Sequence, residues 1–206
     1  VALSGNEQFV CSKCLSSLPF TNFWKHKNNP VEEVFWGRVR LENAASMVFF
    51  EKGSAFQKIL FQLKYRNNPT IGIHIGKYFG NKLLHTTYCN IDVIIPVPLH
   101  RSRLKKRGYN QSEKIAEGLG AVLNKPVFNQ LIKLSKATKT QTSKSRFERW
   151  QNVEGVFDVV DKPALINEHI LVVDDVITTG ATSESLIAEI LKIPGTKVSF
   201  VALASA

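Results

Sequence analysis

The stretch HILVVDDVITTGATSES, residues 169–185, constrains the fold of this chain more than any other feature. Four apolar residues lead directly into two aspartates, and a turn rich in threonine and glycine follows. An uninterrupted apolar run is typical of a strand buried on both faces of a parallel sheet. We therefore predict a strand, a loop and a helix that starts near Thr182, with Asp174 and Asp175 at the carboxyl edge of the sheet.

The rest of the chain fits the same architecture. Further strand candidates lie at 47–51, 91–98 and 197–204. Amphipathic helices are predicted after Ser54, from Pro69, and after Asn110, where Glu113 is spaced as in a capping box. This alternation predicts an α/β fold with a mostly parallel sheet and helices on both faces. Ligands of such sheets bind beyond the carboxyl ends of the strands.

Composition limits the class of partner. The 206 residues are 44% hydrophobic, enough for a substantial core. Lys and Arg total 27 against 17 Asp and Glu, and the net charge of +10 favours polyanionic partners such as phosphorylated metabolites or nucleic acid. The sequence shows no membrane-spanning run or signal-peptide pattern, and its three cysteines are too sparse for a disulfide framework. We expect a cytoplasmic protein without membrane insertion.

The loop after the aspartates has the chemistry of a phosphate site. Gly180 permits a left-handed backbone, successive N–H groups can turn inward, and the positive end of the next helix favours an anion. Threonine hydroxyls add further donors. Carboxylates beside such a loop can accept hydrogen bonds from hydroxyls or hold Mg²⁺. A phosphate flanked by two hydroxyls describes a ribose 5-phosphate.

Three other interpretations of this stretch compete with a phosphate site. A receiver domain has a similar strand and acid pair, but too few residues follow Asp175 for the rest of that fold. A nucleotide triphosphatase has a similar acidic motif, but the phosphate-binding motif Gly-x-x-x-x-Gly-Lys-[Ser/Thr] does not occur in the sequence. Solvated acids at the end of a buried strand would explain the two aspartates alone, but not the whole stretch.

The stretch resembles the phosphoribosyl pyrophosphate (PRPP) signature of type I phosphoribosyltransferases, in which two acidic residues precede a Thr-Thr-Gly-x-Thr loop. The resemblance implies that fold. It also implies that Asp174 and Asp175 are the catalytic acid pair, which contacts the ribose hydroxyls. The residues implied to bind the 5-phosphate are Thr178, Thr179, Gly180, Ala181 and Thr182.

A basic run follows the strand predicted at 91–98. Five of the seven residues from 101 to 107 are basic, and Pro96 and Pro98 stiffen the exit of the strand toward the acidic loop. A basic run is often only a solvated surface, but the resemblance implies a pyrophosphate-binding loop here. Arginines could bind phosphate in bidentate fashion and lysines as point charges. The candidates are Arg101, Arg103, Lys105, Lys106 and Arg107.

A second basic stretch, 136–157, is long for a loop within a compact domain, and such loops are usually functional or disordered. It has the position of the flexible loop that closes over the substrate in phosphoribosyltransferases and excludes water. The polar candidates within it are Gln141, Arg146 and Arg149.

The stretches PVPLHRSRLKKRGYNQSE, QTSKSRFERWQNV and VVDDVITTGATSES together resemble the ComF family of competence proteins. The resemblance covers roughly residues 47–206. It implies magnesium-dependent transfer of phosphoribosyl from PRPP to an unknown acceptor, with release of pyrophosphate, in connection with natural transformation. The alternative is a non-catalytic module that senses PRPP or binds single-stranded DNA or proteins of the competence machinery. A homodimer is expected by analogy with the fold.

Cys11 and Cys14 have the spacing of half a zinc site, which needs two more ligands. ComF-like proteins carry an N-terminal zinc-ribbon-like module whose first cysteine pair lies upstream, and we expect that pair to be missing from this chain. Zn²⁺ would then bind only if upstream ligands were present, and a free or disulfide-linked pair is the alternative. The predicted organisation is a truncated zinc-ribbon-like segment at 1–30, a helical hood region at 31–90 and the PRPP-binding core at 91–206.

Overall fold

The computed structural model describes residues 15–134 and 157–206. Its centre is a four-stranded parallel sheet in the order β1-β6-β5-β2. The strands of this sheet are β1 (Asn43–Phe49), β2 (Val93–Pro96), β5 (His169–Ile177) and β6 (Lys197–Ser205). A short antiparallel pair consists of β3 (Ile132–Leu134) and β4 (Phe157–Val159). The predicted parallel sheet is confirmed.

Six α-helices surround the sheet in the described part of the chain. They are α1 (Pro30–Glu33), α2 (Ala55–Tyr65), α3 (Pro69–Leu83), α4 (Arg101–Arg107), α5 (Gln111–Leu123) and α6 (Ala181–Ile190). Short 3₁₀ turns lie at Phe23–Lys25, Thr87–Asn90 and Pro163–Leu165. No helix within residues 15–134 and 157–206 is long and apolar enough to cross a membrane.

Alternate residues of β5 face two separate apolar clusters. Leu171 and Val173 pack in the cluster that contains α2, α3 and α5. Ile170 and Val172 pack in the cluster that contains α6 and the β3–β4 pair. All four side chains are fully buried. Both faces of the sheet are therefore covered, which explains why this strand is apolar throughout rather than alternating.

The helix starts follow the predicted capping in part. The Ser54 hydroxyl caps α2 by accepting a hydrogen bond from the Gln57 N–H, and the Asn110 side chain caps α5 by accepting one from the Ser112 N–H. The predicted capping box at α5 is wrong in its second half. The Glu113 carboxylate accepts a hydrogen bond from Asn129 Nδ2 instead of turning back to the helix start.

Strand β1 starts earlier than the predicted strand at 47–51. Its first four residues include the polar Asn43 and Ser46, but Asn43 Nδ2 donates to Ser199 Oγ and Ser46 Oγ donates to Ser205 Oγ on the neighbouring strand β6. These polar side chains form hydrogen bonds inside the sheet. The strand can therefore begin at Asn43, before the apolar residues from which its start was predicted. β1, from the segment predicted as the hood region, is thus an edge strand of the central sheet.

The basic run after β2 is a helix, α4, and the loop implied for this position is wrong. The His100 side chain accepts a hydrogen bond from the Ser102 N–H and caps the helix start, and Gly108 ends it in a left-handed conformation. Arginine, lysine and leucine are good helix formers. No residue of α4 is buried, so no apolar stripe marks this helix in the sequence.

Helices α3 and α5 cross with their backbones in contact. Gly76 of α3 and Gly118 of α5 meet at the centre of the crossing. A Cβ atom at position 118 would lie 2.9 Å from the Gly76 Cα and 2.7 Å from the Lys77 nitrogen. Such an approach is possible only without side chains. The crossing fixes the position of α5, whose first turn carries Ser112 to the candidate site.

The carboxyl edge of the sheet has a step. β2 ends at Pro96, opposite Val173, whereas β5 continues beside β6 until Ile177. The strand predicted to end at the acid pair therefore extends through it. From Asp174 onward, β5 has β6 on one side and no strand of the described chain on the other. This step opens the space in which the candidate site lies.

Candidate functional site

A cavity of about 660 Å³ lies at the stepped edge of the sheet. Its volume falls within the range of small-molecule sites. Four parts of the chain form its walls: the end of α2, the segment 97–112, the β3–β4 pair through Leu134 and Phe157, and the end of β5 with the following loop. Its polar lining includes Lys64, His100, Ser102, Arg103, Arg107, Asn110, Gln111, Ser112, Asp174, Asp175, Thr178 and Thr182.

Asp174 is held by three hydrogen bonds from its own protein. Its Oδ1 accepts from the Ser112 hydroxyl at 3.1 Å and from the Asp175 main-chain N–H at 2.8 Å. Its Oδ2 accepts from the Ser183 hydroxyl at 3.2 Å. A carboxylate has about four lone-pair positions. Asp174 therefore retains little capacity for a ligand hydroxyl, and the first turns of α5 and α6 fix its orientation.

The environment of Asp174 favours its neutral form. Burial, and then the nearby charge of Asp175, raise its pKa to about 7, although the three hydrogen bonds lower it. Each of these hydrogen bonds stabilises the carboxylate, so the net rise means that desolvation and repulsion are the stronger effects. A carboxyl group with this pKa is partly protonated at neutral pH.

Asp175 has a different environment. Its Oδ2 lies 2.9 Å from the Lys64 Nζ at the end of α2, and both side chains are largely buried. Asp175 also lines the cavity. Of the two predicted acids, Asp175 is thus the one paired with a cation, and Asp174 is the one tied to the fold.

The loop after the acid pair surrounds a hollow of about 60 Å³. This is about twice the volume of one water molecule in the liquid, the scale of a small anion. Gly180 adopts the predicted left-handed conformation, with φ of 72°, and it has no side chain to cap α6. The first N–H groups of α6 are therefore not satisfied by a side-chain cap. The hollow is lined by Asp174, Val176, Ile177, Thr178, Thr179, Gly180, Ala181, Thr182 and Ser183.

The segment after α1 supports this loop from outside. A Cβ atom at position 180 would lie 2.6 Å from Val34 Cγ1, so Gly180 is required by packing as well as by its φ. The Arg38 guanidinium donates to the Thr179 carbonyl at 3.1 Å and pairs with Glu184 at 3.1 Å. Because C=O and N–H point in opposite directions across a planar peptide, this contact turns the Gly180 N–H away from Arg38.

Because α4 is a helix, only some of the predicted pyrophosphate-binding residues line the cavity. Arg103 and Arg107 line the cavity. Arg107 also donates to Gln111 Oε1 at 2.7 Å, and its guanidinium carbon lies 5.6 Å from the centre of the Tyr65 ring. The other three candidates are exposed and lie outside the cavity lining; they are Arg101, Lys105 and Lys106.

Several predicted residues lie outside the described part of the chain. They are the flexible-loop candidates Gln141, Arg146 and Arg149 and the half zinc site Cys11 and Cys14. Cys89, within the described residues, is a free cysteine. No group of three or more His, Cys, Asp or Glu residues in 15–134 and 157–206 is arranged to hold a metal ion.

The structure brings four residues to the site that sequence reasoning missed: Arg38, Lys64, Ser112 and Ser183. Ser112 and Ser183 are within the quoted motifs, and their place in the first turn of a helix was an available signal. Arg38 and Lys64 reach the site from distant segments, and no local pattern marks them.

A scan against protein-family models finds no match. The chain is 40% identical over 92 residues to competence protein F of Haemophilus influenzae, covering 44% of this chain and 40% of that protein. It is 31% identical over 128 residues to DNA utilization protein YhgH of Escherichia coli O157:H7, covering 60% and 56%. It is 36% identical over 90 residues to competence protein ComFC of Bacillus subtilis, covering 44% and 34%. The matches span about half or less of each relative's length.

Among solved structures, the chain is similar to a glutamine PRPP amidotransferase from B. subtilis complexed with ADP and GMP. The identity is 17%, the TM-score is 0.49, and the match covers 69% of this chain and 30% of that one.

The parallel sheet is covered on both faces and carries the acid pair and the Gly180 loop at its carboxyl edge, which is the arrangement that the sequence predicts for a type I phosphoribosyltransferase fold. The curated relatives are competence proteins and DNA utilization proteins. Over the matched residues, the chain is similar to proteins of the ComF family.

Proposed function

We propose that this protein binds PRPP with magnesium and transfers its phosphoribosyl group to an acceptor, with release of pyrophosphate, in a process linked to DNA uptake. The observation that carries the proposal is the acid pair beside the Gly180 loop, in one cavity system at the carboxyl edge of the sheet. The names of the curated relatives support the link to DNA uptake.

The donor would bind through its 5-phosphate and its ribose. The 5-phosphate fits the hollow of the 178–182 loop, where threonine hydroxyls and the first N–H groups of α6 supply donors. The ribose hydroxyls would donate mainly to Asp175, because most of the Asp174 acceptor capacity is already used by Ser112, Ser183 and the main chain. Asp174 would then act chiefly by orienting its neighbour.

The transfer step itself needs no covalent intermediate on the protein. A nitrogen of the acceptor forms a bond to the ribose C1 while the bond from C1 to the pyrophosphate oxygen breaks. Pyrophosphate leaves with the electron pair, and the acceptor nitrogen loses a proton. Arg103 and Arg107, which line the cavity, would stabilise the negative charge that develops on the leaving group.

The residues present fit a magnesium ion that arrives with the substrate. Asp175 offers oxygen ligands, Asp174 can add only the acceptor position that its three hydrogen bonds leave, and Mg²⁺ usually binds one or two carboxylates together with water and substrate phosphates. The part of the chain that the structure describes has no larger acidic group that would form a metal site by itself. Bound magnesium would neutralise charge on the diphosphate oxygens.

Thermal unfolding with and without ligand tests the proposal. At about 100 times the dissociation constant, PRPP with Mg²⁺ should stabilise the protein by about 2.7 kcal/mol. For a chain of this size that is a rise in Tm of about 5 to 10 °C. The double variant Asp174→Asn with Asp175→Asn should lose this rise. If the unsubstituted protein shows no rise, the PRPP hypothesis is rejected. A screen of acceptors for pyrophosphate release then tests turnover.

A second candidate function is non-catalytic binding of single-stranded DNA, and a specific surface favours it. Three basic residues of α4 are exposed outside the cavity. On α2, Phe61 and Tyr65 are 49% and 58% exposed, with ring centres 5.1 Å apart. Exposed aromatic rings beside cations are typical of surfaces on which unpaired bases stack.

Binding to a labelled oligonucleotide at several salt concentrations tests this alternative. If the surface binds DNA, affinity should fall steeply with salt, and Phe61→Ala with Tyr65→Ala should weaken binding about tenfold or more. Oligonucleotide binding without any PRPP-induced rise in Tm would favour the DNA-binding module over the transferase.

A further inference from the structure

Helix α2 brings a lysine into the candidate donor cavity. The Lys64 Nζ lies 2.9 Å from Asp175 Oδ2, and the exposed fractions of the two side chains are 20% and 16%. Lys64 lines the same cavity as Arg103 and Arg107. The cavity therefore holds the ion pair between Lys64 and Asp175. It also holds the guanidinium groups of Arg103 and Arg107, which have no carboxylate within ion-pair distance among the described residues.

The residues on either side of Lys64 have contacts that hold the end of α2 in place. Leu63 is buried in the core, and the Tyr109 hydroxyl donates a hydrogen bond to its carbonyl oxygen. The Tyr65 ring lies against the guanidinium of Arg107. The lysine side chain, in contrast, ends in three rotatable N–H donors on a flexible four-carbon stem. Lys64 can thus change its hydrogen-bond partner without movement of α2.

The charges in the cavity favour such a change when a diphosphate enters. In the free protein, Lys64 neutralises Asp175, which carries one negative charge. A diphosphate carries more negative charge and more acceptor oxygens than one carboxylate, so it attracts the ammonium more strongly. Ribose hydroxyls, which are donors, can then take over the acceptor oxygens of Asp175.

We propose that Lys64 is a pyrophosphate-binding residue that pairs with Asp175 in the free protein and exchanges this carboxylate for the diphosphate of the bound donor. This inference rests on the proposed function. It also implies that Lys64 occupies the place of a cation beside Asp175, so that Mg²⁺ alone binds poorly until a diphosphate is present.

Calorimetric titration of the full chain with four probes tests the role of Lys64. The probes are PRPP with Mg²⁺, pyrophosphate with Mg²⁺, ribose 5-phosphate, and Mg²⁺ alone. Lys64→Met removes the charge and keeps the length, and Lys64→Arg keeps the charge. Lys58→Met is the matched control, because Lys58 is exposed on the same helix and does not line the cavity.

Lys64→Met should bind PRPP and pyrophosphate roughly 10 to 100 times more weakly, because it loses a charged hydrogen bond to the diphosphate. Ribose 5-phosphate should keep its affinity within about twofold, and binding of Mg²⁺ alone should become stronger. Lys64→Arg should retain most of the PRPP affinity, and Lys58→Met should match the unsubstituted protein.

A purely structural ion pair gives another pattern, and that pattern overturns the inference. Lys64→Met would then weaken PRPP and ribose 5-phosphate equally, or change neither. If the unsubstituted protein binds PRPP and Lys64→Met binds it equally well, the Lys64 role is rejected and the proposed function stands. If the unsubstituted protein binds none of the phosphorylated probes, the proposed function is rejected as well.

Discussion

Asp174 should make the free protein less stable as pH rises, and Asp174→Asn should remove this effect. Burial, and then the charge of Asp175, raise the pKa of Asp174 from 3.8 to about 7. The folded protein therefore binds this proton more tightly than the unfolded chain does. The resulting stability is complete below about pH 4 and is lost as the pH rises through about 7. Asparagine has no such proton to lose.

The size of the effect follows from the pKa difference. A rise from 3.8 to about 7 corresponds to about 4 kcal/mol, at about 1.4 kcal/mol per pH unit. This is an upper value, because Asp174 lines the cavity, where water weakens electrostatic interactions. The asparagine oxygen can accept the hydrogen bonds from Ser112 and the Asp175 N–H, and its amide can donate to Ser183. We therefore expect Asp174→Asn to be more stable at about pH 8.5 by about 2 kcal/mol, or about 4 to 8 °C in Tm.

Thermal unfolding followed by circular dichroism between about pH 4 and pH 8.5 measures this difference. The gain of Asp174→Asn should be close to zero at the acid end and should grow with pH. Asp158→Asn is the matched control, because Asp158 is an exposed acid on β4. The reasoning is refuted if Asp174→Asn is less stable at alkaline pH, or if its difference from the unsubstituted protein does not change with pH.

Three further perturbations probe other parts of the molecule. Gly118→Ala should lower the free energy of unfolding by about 3 kcal/mol in a urea titration, because its Cβ would meet the α3 backbone; an unchanged urea midpoint would contradict the close crossing. Arg38→Ala should weaken the binding of ribose 5-phosphate and of PRPP equally, by about three- to tenfold in calorimetry, because the Thr179 carbonyl loses its hydrogen-bond donor. Unequal losses of affinity would count against a role at the 5-phosphate loop. Arg103→Gln should weaken pyrophosphate about tenfold, whereas Lys105→Gln, outside the cavity lining, should change it less than about twofold; similar effects would point to net charge alone.

Features of the fold and the site that depend on neighbouring residues can be predicted from the sequence alone. The amphipathic helix predicted after Ser54 is α2, and its apolar residues Phe56, Ile59, Leu60 and Leu63 are buried. The left-handed Gly180 and the strand before the acid pair were predicted from adjacent residues and are confirmed. Such features depend on the regular spacing of apolar residues along the chain and on backbone conformations that few residue types adopt.

Features that depend on distant partners could not be predicted in the same way. β5 extends to Ile177 because β6 continues beside it. The helix α4 has no buried face and therefore no hydrophobic period. Lys64 reaches Asp175 only because α2 packs against the same sheet, and a lysine at the end of an amphipathic helix is otherwise an ordinary surface residue.

The backbone crossing of α3 and α5 has a consequence for mutational tolerance. Where two helices are separated by side chains, a change of side-chain volume alters the distance between them. The functional residues on those helices are then displaced as well. At Gly76 and Gly118, main-chain atoms set the spacing. Substitutions on the outer faces of α3 should therefore leave Ser112 in place beside Asp174. Gly76 and Gly118 are therefore the positions at which a side chain would displace the site, whereas exposed positions of α3 can vary without loss of it.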